Sequence, residues 1–198
     1  MEPDYQVAAA GPSHADGLTA LFHAAGSPCF CRFWHFGGTN NDWLDRCANA
    51  PGENERELRE GLSSGSPEAQ GVVAIHAATG TLAGWVKVSP VAAVKKAYDR
   101  KLYRGLPCFE GDRTGVFAIG CLLVHPEHRK RAVSTALVRG AVEIAPGWGA
   151  RALEAFPRRP KEPVRDEELW TGPMGAFEKN GFVEVHAFEP YPVLRRSL

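Results

Sequence analysis

Gly115–Ala145, GVFAIGCLLVHPEHRKRAVSTALVRGAVEIA, is the stretch from which the rest of the chain can be read. Val116–Val124 is an apolar run closed by His125-Pro126, the pattern of a strand buried on both faces at the centre of a sheet. A polar turn follows, Glu127-His128-Arg129-Lys130-Arg131. Beyond it Val133, Ala136, Leu137, Ala141 and Ile144 recur at spacings of three and four, one apolar face of a helix. The first N–H groups of a helix lack intrahelical partners and sit at the positive end of its dipole. With Arg129, Lys130 and Arg131 in the turn, the junction reads as an anion site, at the carboxyl end of a strand where open α/β sheets bind ligands. Small side chains at Ala132 and Ser134 let an anion approach the backbone. The competing reading of a basic triplet is a solvated turn.

Working outward, the 198 residues suffice for one domain spanning 1–198 with a substantial core. Lys+Arg and Asp+Glu balance at 23 each, so no global field draws the chain to nucleic acid or an anionic membrane, and any cationic site must be local. No apolar run reaches the roughly 20 residues that span a bilayer. MEPDYQV has no basic region followed by an apolar one, so no signal peptide is expected. Five cysteines, an odd number in a chain of this size, fit reduced thiols and a cytoplasmic location.

Tyr5–Ala10 suits a first strand, and Ser13 or Asp16 could cap a helix over His14–Ala25 with Leu18, Leu21 and Phe22 buried. Next comes GSPCFCRFWHFGGTNNDW, Gly26–Trp43, dense in cysteine and aromatic residues. A zinc site on Cys29, Cys31, His35 and Cys47 is one reading. The Cys-x-Cys spacing is shorter than structural zinc pairs prefer, which favours an aromatic, sulfur-rich plug packed on the sheet and walling a pocket. Asp42–Leu62, with Leu44, Leu58 and Leu62, reads as a mostly exposed helix interrupted at Pro51-Gly52, and Gly61–Gln70 as a flexible loop. Gly71–Ala77 and Leu82–Val88 form a hairpin about Ala78-Thr79-Gly80. Val91–Asp112 is a locally basic insertion that could lie over the site or be a solvated amphipathic turn. Arg151–Phe156 is the next strand, Thr171–Phe182 the last helix with an Asn180-Gly181 cap, and Val183–Phe188 and Val193–Arg196 the closing strands.

VHPEHRKRAVSTALV resembles the acetyl-CoA motif of the GNAT N-acyltransferase superfamily, V-x-P-x-x-[RQ]-x-x-G-x-G/A-x-x-L. Val124, Pro126, Arg129 and Leu137 match in register, while Ala132 and Ser134 stand at the two glycine positions. Cys29-x-Cys31-x-x-Trp34, Gly84-Trp85-Val86 leading to Pro90, Glu154-Ala155-Phe156-Pro157 and TGPMGAFEKNGF resemble stretches of a bacterial branch of that superfamily. The resemblance implies a mixed α/β fold, a central sheet flanked by helices with two central strands splayed apart. It implies acetyl-CoA as co-substrate, an amine acceptor, no metal, and a monomer or homodimer. Carried over by position, Leu122, Leu123, Val124, Arg129, Lys130, Arg131, Ala132, Val133, Ser134, Thr171 and Phe177 would hold the coenzyme, and the Leu122 N–H would polarise the thioester.

Acyl transfer needs a neutral amine, a stabilised oxyanion and a proton for the leaving thiolate. Many members of the family protonate the thiolate with a tyrosine where this chain has Phe177, and the central strand carries no acidic residue. Glu154 is therefore the candidate base, its other reading being a strand-end salt-bridge partner. Cys121, between apolar neighbours, reads as core. Three functions stand at this point: an acetyl-CoA-dependent N-acetyltransferase, a non-catalytic acyl-CoA-binding module, and a zinc or thiol sensor.

Overall fold

The apolar run Val116–Val124 forms β4, the middle strand of a seven-stranded sheet ordered β1-β2-β3-β4-β5-β7-β6. The computed structural model describes residues 4–198; residues 1–3, within the stretch read above for a signal peptide, lie outside it. The other strands are β1 (Tyr5–Ala9), β2 (Gly71–His76), β3 (Leu82–Pro90), β5 (Ala152–Ala155), β6 (Val183–His186) and β7 (Val193–Ser197). Only β4 and β5 run parallel, so the fold is mixed α/β.

Helices cover both faces. On one, α5 (Val133–Ile144) and the short α6 (Met174–Glu178) bury Val133, Leu137, Ala141 and Phe177 against Phe117, Ile119 and Leu122. On the other, α1 (Ala15–Ala24), α3 (Pro51–Ser64) and the cysteine-aromatic segment bury Leu18, Leu21, Phe22, Phe30, Cys31 and Trp34 against Trp85, Ala118 and Cys121. Each fully buried aliphatic or aromatic side chain contributes about 1.5–3 kcal/mol of hydrophobic stabilisation. Among the described residues no helix is long and apolar enough to cross a membrane.

The structure alters several local expectations. A 3-10 turn, Pro12–His14, leads into α1, so neither Ser13 nor Asp16 caps it; Asp16 instead pairs with Arg59 at 2.6 Å. Pro51 does not kink one helix but starts α3 after α2 (Asn40–Asn49), as suits a residue with a preset φ and no N–H. α2 buries Trp43 and leaves Leu44 65% exposed, so the inward stripe is one residue off the leucine pattern. α3 continues to Ser64, past the expected start of the loop. The last helix is only five residues long, leaving Thr171 outside it, and Asn180 Nδ2 bonds the carbonyls of Ala176 and Thr135.

The Val91–Asp112 insertion is packed down rather than solvated, through one buried charge. Glu154, in β5, is fully buried. Arg113 donates to both of its oxygens at 2.9 and 2.6 Å, Arg195 of β7 donates twice to Oε1 at 2.9 and 2.6 Å, and Tyr98 donates to Oε2 at 2.7 Å. Tyr98 belongs to α4 (Lys95–Tyr98) of the insertion, and Arg195 also bonds the Cys108 carbonyl. Tyr98, Tyr103 and Phe109 then pack about Phe156. Removing one member of a buried ion pair strands the other. Glu154→Ala should lower the unfolding free energy by about 3–5 kcal/mol in urea denaturation. A loss below about 1 kcal/mol would show that the cluster is not structural.

Candidate functional site

The site is where β4 and β5 part. Their register runs from Val116↔Ala152 to Ile119↔Ala155 and ends there. Immediately beyond, β4 bulges: Val86 faces Leu122 and Val88 faces Ile119, so Gly120 and Cys121 together oppose Lys87. The extra residue returns Cys121 to the α1 side and Leu122 to the α5 side, and it bends the strand away from β5. A Cβ at Gly120 would lie 3.1 Å from Trp34 Nε1, so the bulge uses a residue that lets the indole close against the backbone.

The basic turn has the geometry of an anion cradle. Lys130 and Ala132 both adopt φ of +60°, the left-handed conformation that glycine takes without strain. Alternating left-handed residues turn successive N–H groups to one side and make a concave nest for anions. Among the described residues the N–H groups of Arg131, Ala132, Val133 and Ser134 meet no acceptor, and they open the twelve-residue helix α5. Arg131 lines an adjoining hollow of about 220 Å³ with Ala132, Thr135 and Arg139. Arg129 is already engaged, at 2.7 Å from Glu167 and 3.9 Å from Asp166. Ala132 thus stands in the backbone shape that its position requires of a glycine.

The segment from Arg158 to Pro173 crosses the gap between β4 and β5. Arg158 bridges Pro173, and the Trp170 carbonyl accepts the Leu122 N–H at 2.8 Å. The donor expected to polarise a thioester is therefore occupied. Val124, two residues on, turns its N–H to the same edge, since His125 bonds Ala83 of β3 in the opposite direction. That N–H meets no acceptor among the described residues. Leu123 bonds toward β3 instead, opposite Trp85.

Phe177 lies wholly in the core against Phe182, with ring centroids 5.3 Å apart, and fixes the α5–α6 face from beneath. Thr171 lines a narrow pocket on the face of the sheet opposite α5. Gly120 of β4 also lines that pocket, with Val94, Ala97, Ala118 and Phe156 as apolar wall and Trp34, Arg100, Tyr103 and Thr171 as polar lining. Its free volume, about 10 Å³, matches one water.

The five donors on Glu154 fill the roughly four lone-pair directions of a carboxylate, so it has no acceptor left for an amine proton. Its salt-bridge reading is the one the geometry supports. Burial, together with the Glu154 charge, holds the Tyr98 hydroxyl well above its ordinary range, so it stays a donor. No carboxylate or imidazole lines the pocket.

The cysteine-aromatic segment packs as a plug. Cys31 Sγ accepts from Trp85 Nε1 at 3.3 Å, Cys47 accepts from Asn54 at 3.8 Å, and Cys29 shares a hydrogen with Ser27 Oγ at 3.4 Å. Among the described residues no three Cys, His, Asp or Glu side chains are arranged to hold a metal ion. Burial raises the Cys29 thiol to about 11 and holds the Cys31 thiol well above its ordinary value, so neither is a ready thiolate. Burial, then the Lys87 and Arg32 charges, holds the His35 imidazole at about 3; it is neutral, and its 4.0 Å approach to Glu68 is not an ion pair.

Sequence reasoning singled out the anion cradle but not Arg113, Arg195 and Tyr98 around Glu154, nor the covering role of Trp170. A glycine inside an apolar strand is a bulge signal, and Gly120 carried it.

Residues 39–165 match the acetyltransferase (GNAT) family, and the chain belongs to that family. Among solved structures it is similar to the PaiA N-acetyltransferase of Thermoplasma acidophilum in complex with coenzyme A. That likeness is 10% identity over 98% of this chain and 99% of the other, with a TM-score of 0.55. A GCN5-related N-acetyltransferase from Kribbella flavida shares 19% identity over 98% of each chain, TM-score 0.53. A GNAT family acetyltransferase from Brucella melitensis, in complex with acetyl-CoA, shares 14% over 100% of this chain and 90% of its own, TM-score 0.50. A search of curated proteins returns no match.

Two measurements test these placements. Ordinary imidazole titrates near 6.5 and folded His35 near 3, so within that window only the unfolded chain binds the proton. Stability should then fall with acidification by on the order of 1.4 kcal/mol per pH unit from this group. In urea melts between about pH 6 and 4, His35→Gln should flatten that slope; an unchanged slope would reject the neutral assignment. If Asp166 and Glu167 hold Arg129 away from an anion, the Asp166→Asn, Glu167→Gln double variant should bind acetyl-CoA roughly two- to fivefold more tightly by calorimetry, the range of exposed ion pairs.

Proposed function

We propose that this protein is an acetyl-CoA-dependent N-acetyltransferase acting on an amine. The observation that carries this reading is the nest at Lys130–Val133, with its free N–H groups at the start of α5. The nest suits a diphosphate: its N–H groups converge, Ala132 already has a glycine-like φ, and Arg131 beside it pairs with no carboxylate among the described residues. Arg129, Arg131 and the N–H groups of Arg131–Ser134 would hold the diphosphate. The Val124 N–H, and Leu122 once Trp170 is displaced, would bond the arm that lies in the gap. The coenzyme would supply the acetyl group as an activated thioester.

The chain's own contribution is positioning. Gly120 lies in the bulge and also lines the pocket, so an amine in the pocket and a thioester in the gap would meet beside it. As the N–C bond forms the C–S bond breaks, the amine proton passes to water, and the thiol leaves protonated from water. No pocket side chain serves as base, so the amine must be neutral when it attacks, and kcat/KM should rise with pH until the acceptor's own amine is deprotonated. Phe177 gives no proton. The Cys29-x-Cys31-x-x-Trp34 stretch supports a place in a bacterial branch of the family, where a cytoplasmic location would be usual.

Acetyl-CoA should bind in calorimetric titration, and thiol release should follow with at least one primary amine. Reversing charge at both Arg129 and Arg131 should weaken that binding by well over tenfold. Unchanged affinity removes the anion-site argument; binding without turnover on any amine leaves an acyl-CoA-binding module.

A further inference from the structure

Resting on the acetyltransferase reading, the pocket's polar inventory also restricts the acceptor. Its lining contains two groups that only donate. Trp34 is 5% exposed, and its Nε1 hydrogen is buried without a partner among the described residues, close against Gly120, which lines the same pocket. A buried unpaired donor costs about 1–3 kcal/mol, which a ligand acceptor atom would recover. Arg100 lines the same pocket with its guanidinium 5.6 Å over the Tyr103 ring. Where Arg32, Arg113, Arg129, Arg158 and Arg195 each face a carboxylate, Arg100 faces none among the described residues. Trp Nε1–H and guanidinium have no acceptor capacity, and the lining groups that could accept are the neutral hydroxyls of Thr171 and of Tyr103, the latter donating to the Tyr191 carbonyl at 3.4 Å.

A pocket with this lining offers nothing to neutralise a second ammonium group. The nearest carboxylate, Glu154, is saturated by its own arginines. Val94, Ala97, Ala118 and Phe156 supply a slim apolar wall, and with room for one water the pocket has to widen, by movement of the Val91–Asp112 insertion, to admit an amine. We propose that the acceptor is a small amine carrying an anionic group on a short apolar stem, its anion held by Arg100 and assisted by the Trp34 N–H. Polyamines and lysine-like cations are disfavoured by the same lining.

The test uses the full chain and four probes of similar length: 4-aminobutyrate, 3-aminopropylphosphonate, n-butylamine and 1,4-diaminobutane. With acetyl-CoA and thiol detection, at least one anionic probe should exceed n-butylamine and 1,4-diaminobutane in kcat/KM by tenfold or more. Comparing the two anionic probes separates carboxylate from phosphonate preference. Arg100→Gln should reduce the anionic-to-neutral ratio at least tenfold, Arg100→Lys should retain part of it, and Trp34→Phe should lower it severalfold. A wild-type preference for n-butylamine or 1,4-diaminobutane, or a ratio unmoved by Arg100→Gln, overturns the proposal while leaving acetyl transfer in place. Should no probe be turned over, calorimetric binding of the same four compounds decides. Anion-selective binding lost in Arg100→Gln upholds the pocket assignment even if the transferase reading fails, and no selectivity overturns it.

Discussion

A full negative charge in the interior holds this structure to its shape. Glu154 lies in β5 at the last stretch where β4 and β5 still pair, and interior charge is tolerated only when fully satisfied. The partners come from three separate parts of the chain: Tyr98 in the insertion, Arg113 at the approach to β4, and Arg195 in β7. Satisfying one carboxylate therefore fixes where the insertion lies, and the insertion brings Val94, Ala97, Arg100 and Tyr103 to the pocket.

The bulge at Gly120 plays the complementary part. By placing two β4 residues opposite Lys87 it ends the β4–β5 ladder and lets the strand's backbone turn toward the gap. The nest and α5 belong to one face of the sheet, the pocket belongs to the other, and the Val124 N–H lies at the strand edge between them. One backbone irregularity joins them. The Arg158–Pro173 segment bears on both sides, since Glu167 engages Arg129 in the cradle, Trp170 engages Leu122 in the gap, and Thr171 reaches the pocket. Any chain or ligand that paired with Leu122 in the gap would have to displace Trp170 first.

The legible parts of the sequence were those governed by local periodicity. The Val116–Val124 run, the three-four spacing of Val133, Leu137 and Ala141, and the Gly71–Val88 hairpin each specify an element without help from distant residues. The anion cradle was legible for the same reason, because a basic turn between a buried strand and a helix is a contiguous feature. Boundaries were less legible: the last helix, read from Thr171, begins only at Met174, and which residue α2 buries, Trp43 and not Leu44, is decided by what packs against it.

The sequence by itself determined the strand, the turn, the helix and hence the family fold, because apolar period and helix-terminus electrostatics act over a few residues. Only the tertiary structure decided what Glu154 and Leu122 do. A carboxylate's role depends on which donors converge on it, and here Tyr98, Arg113 and Arg195, far apart in sequence, consume its lone pairs. A backbone N–H's role depends on whether a remote carbonyl reaches it first, and Trp170 does. The opening basic stretch was read as an anion cradle from its charge and its place between strand and helix. Its geometry adds what composition could not show: Lys130 and Ala132 hold the left-handed turns that aim the N–H groups together.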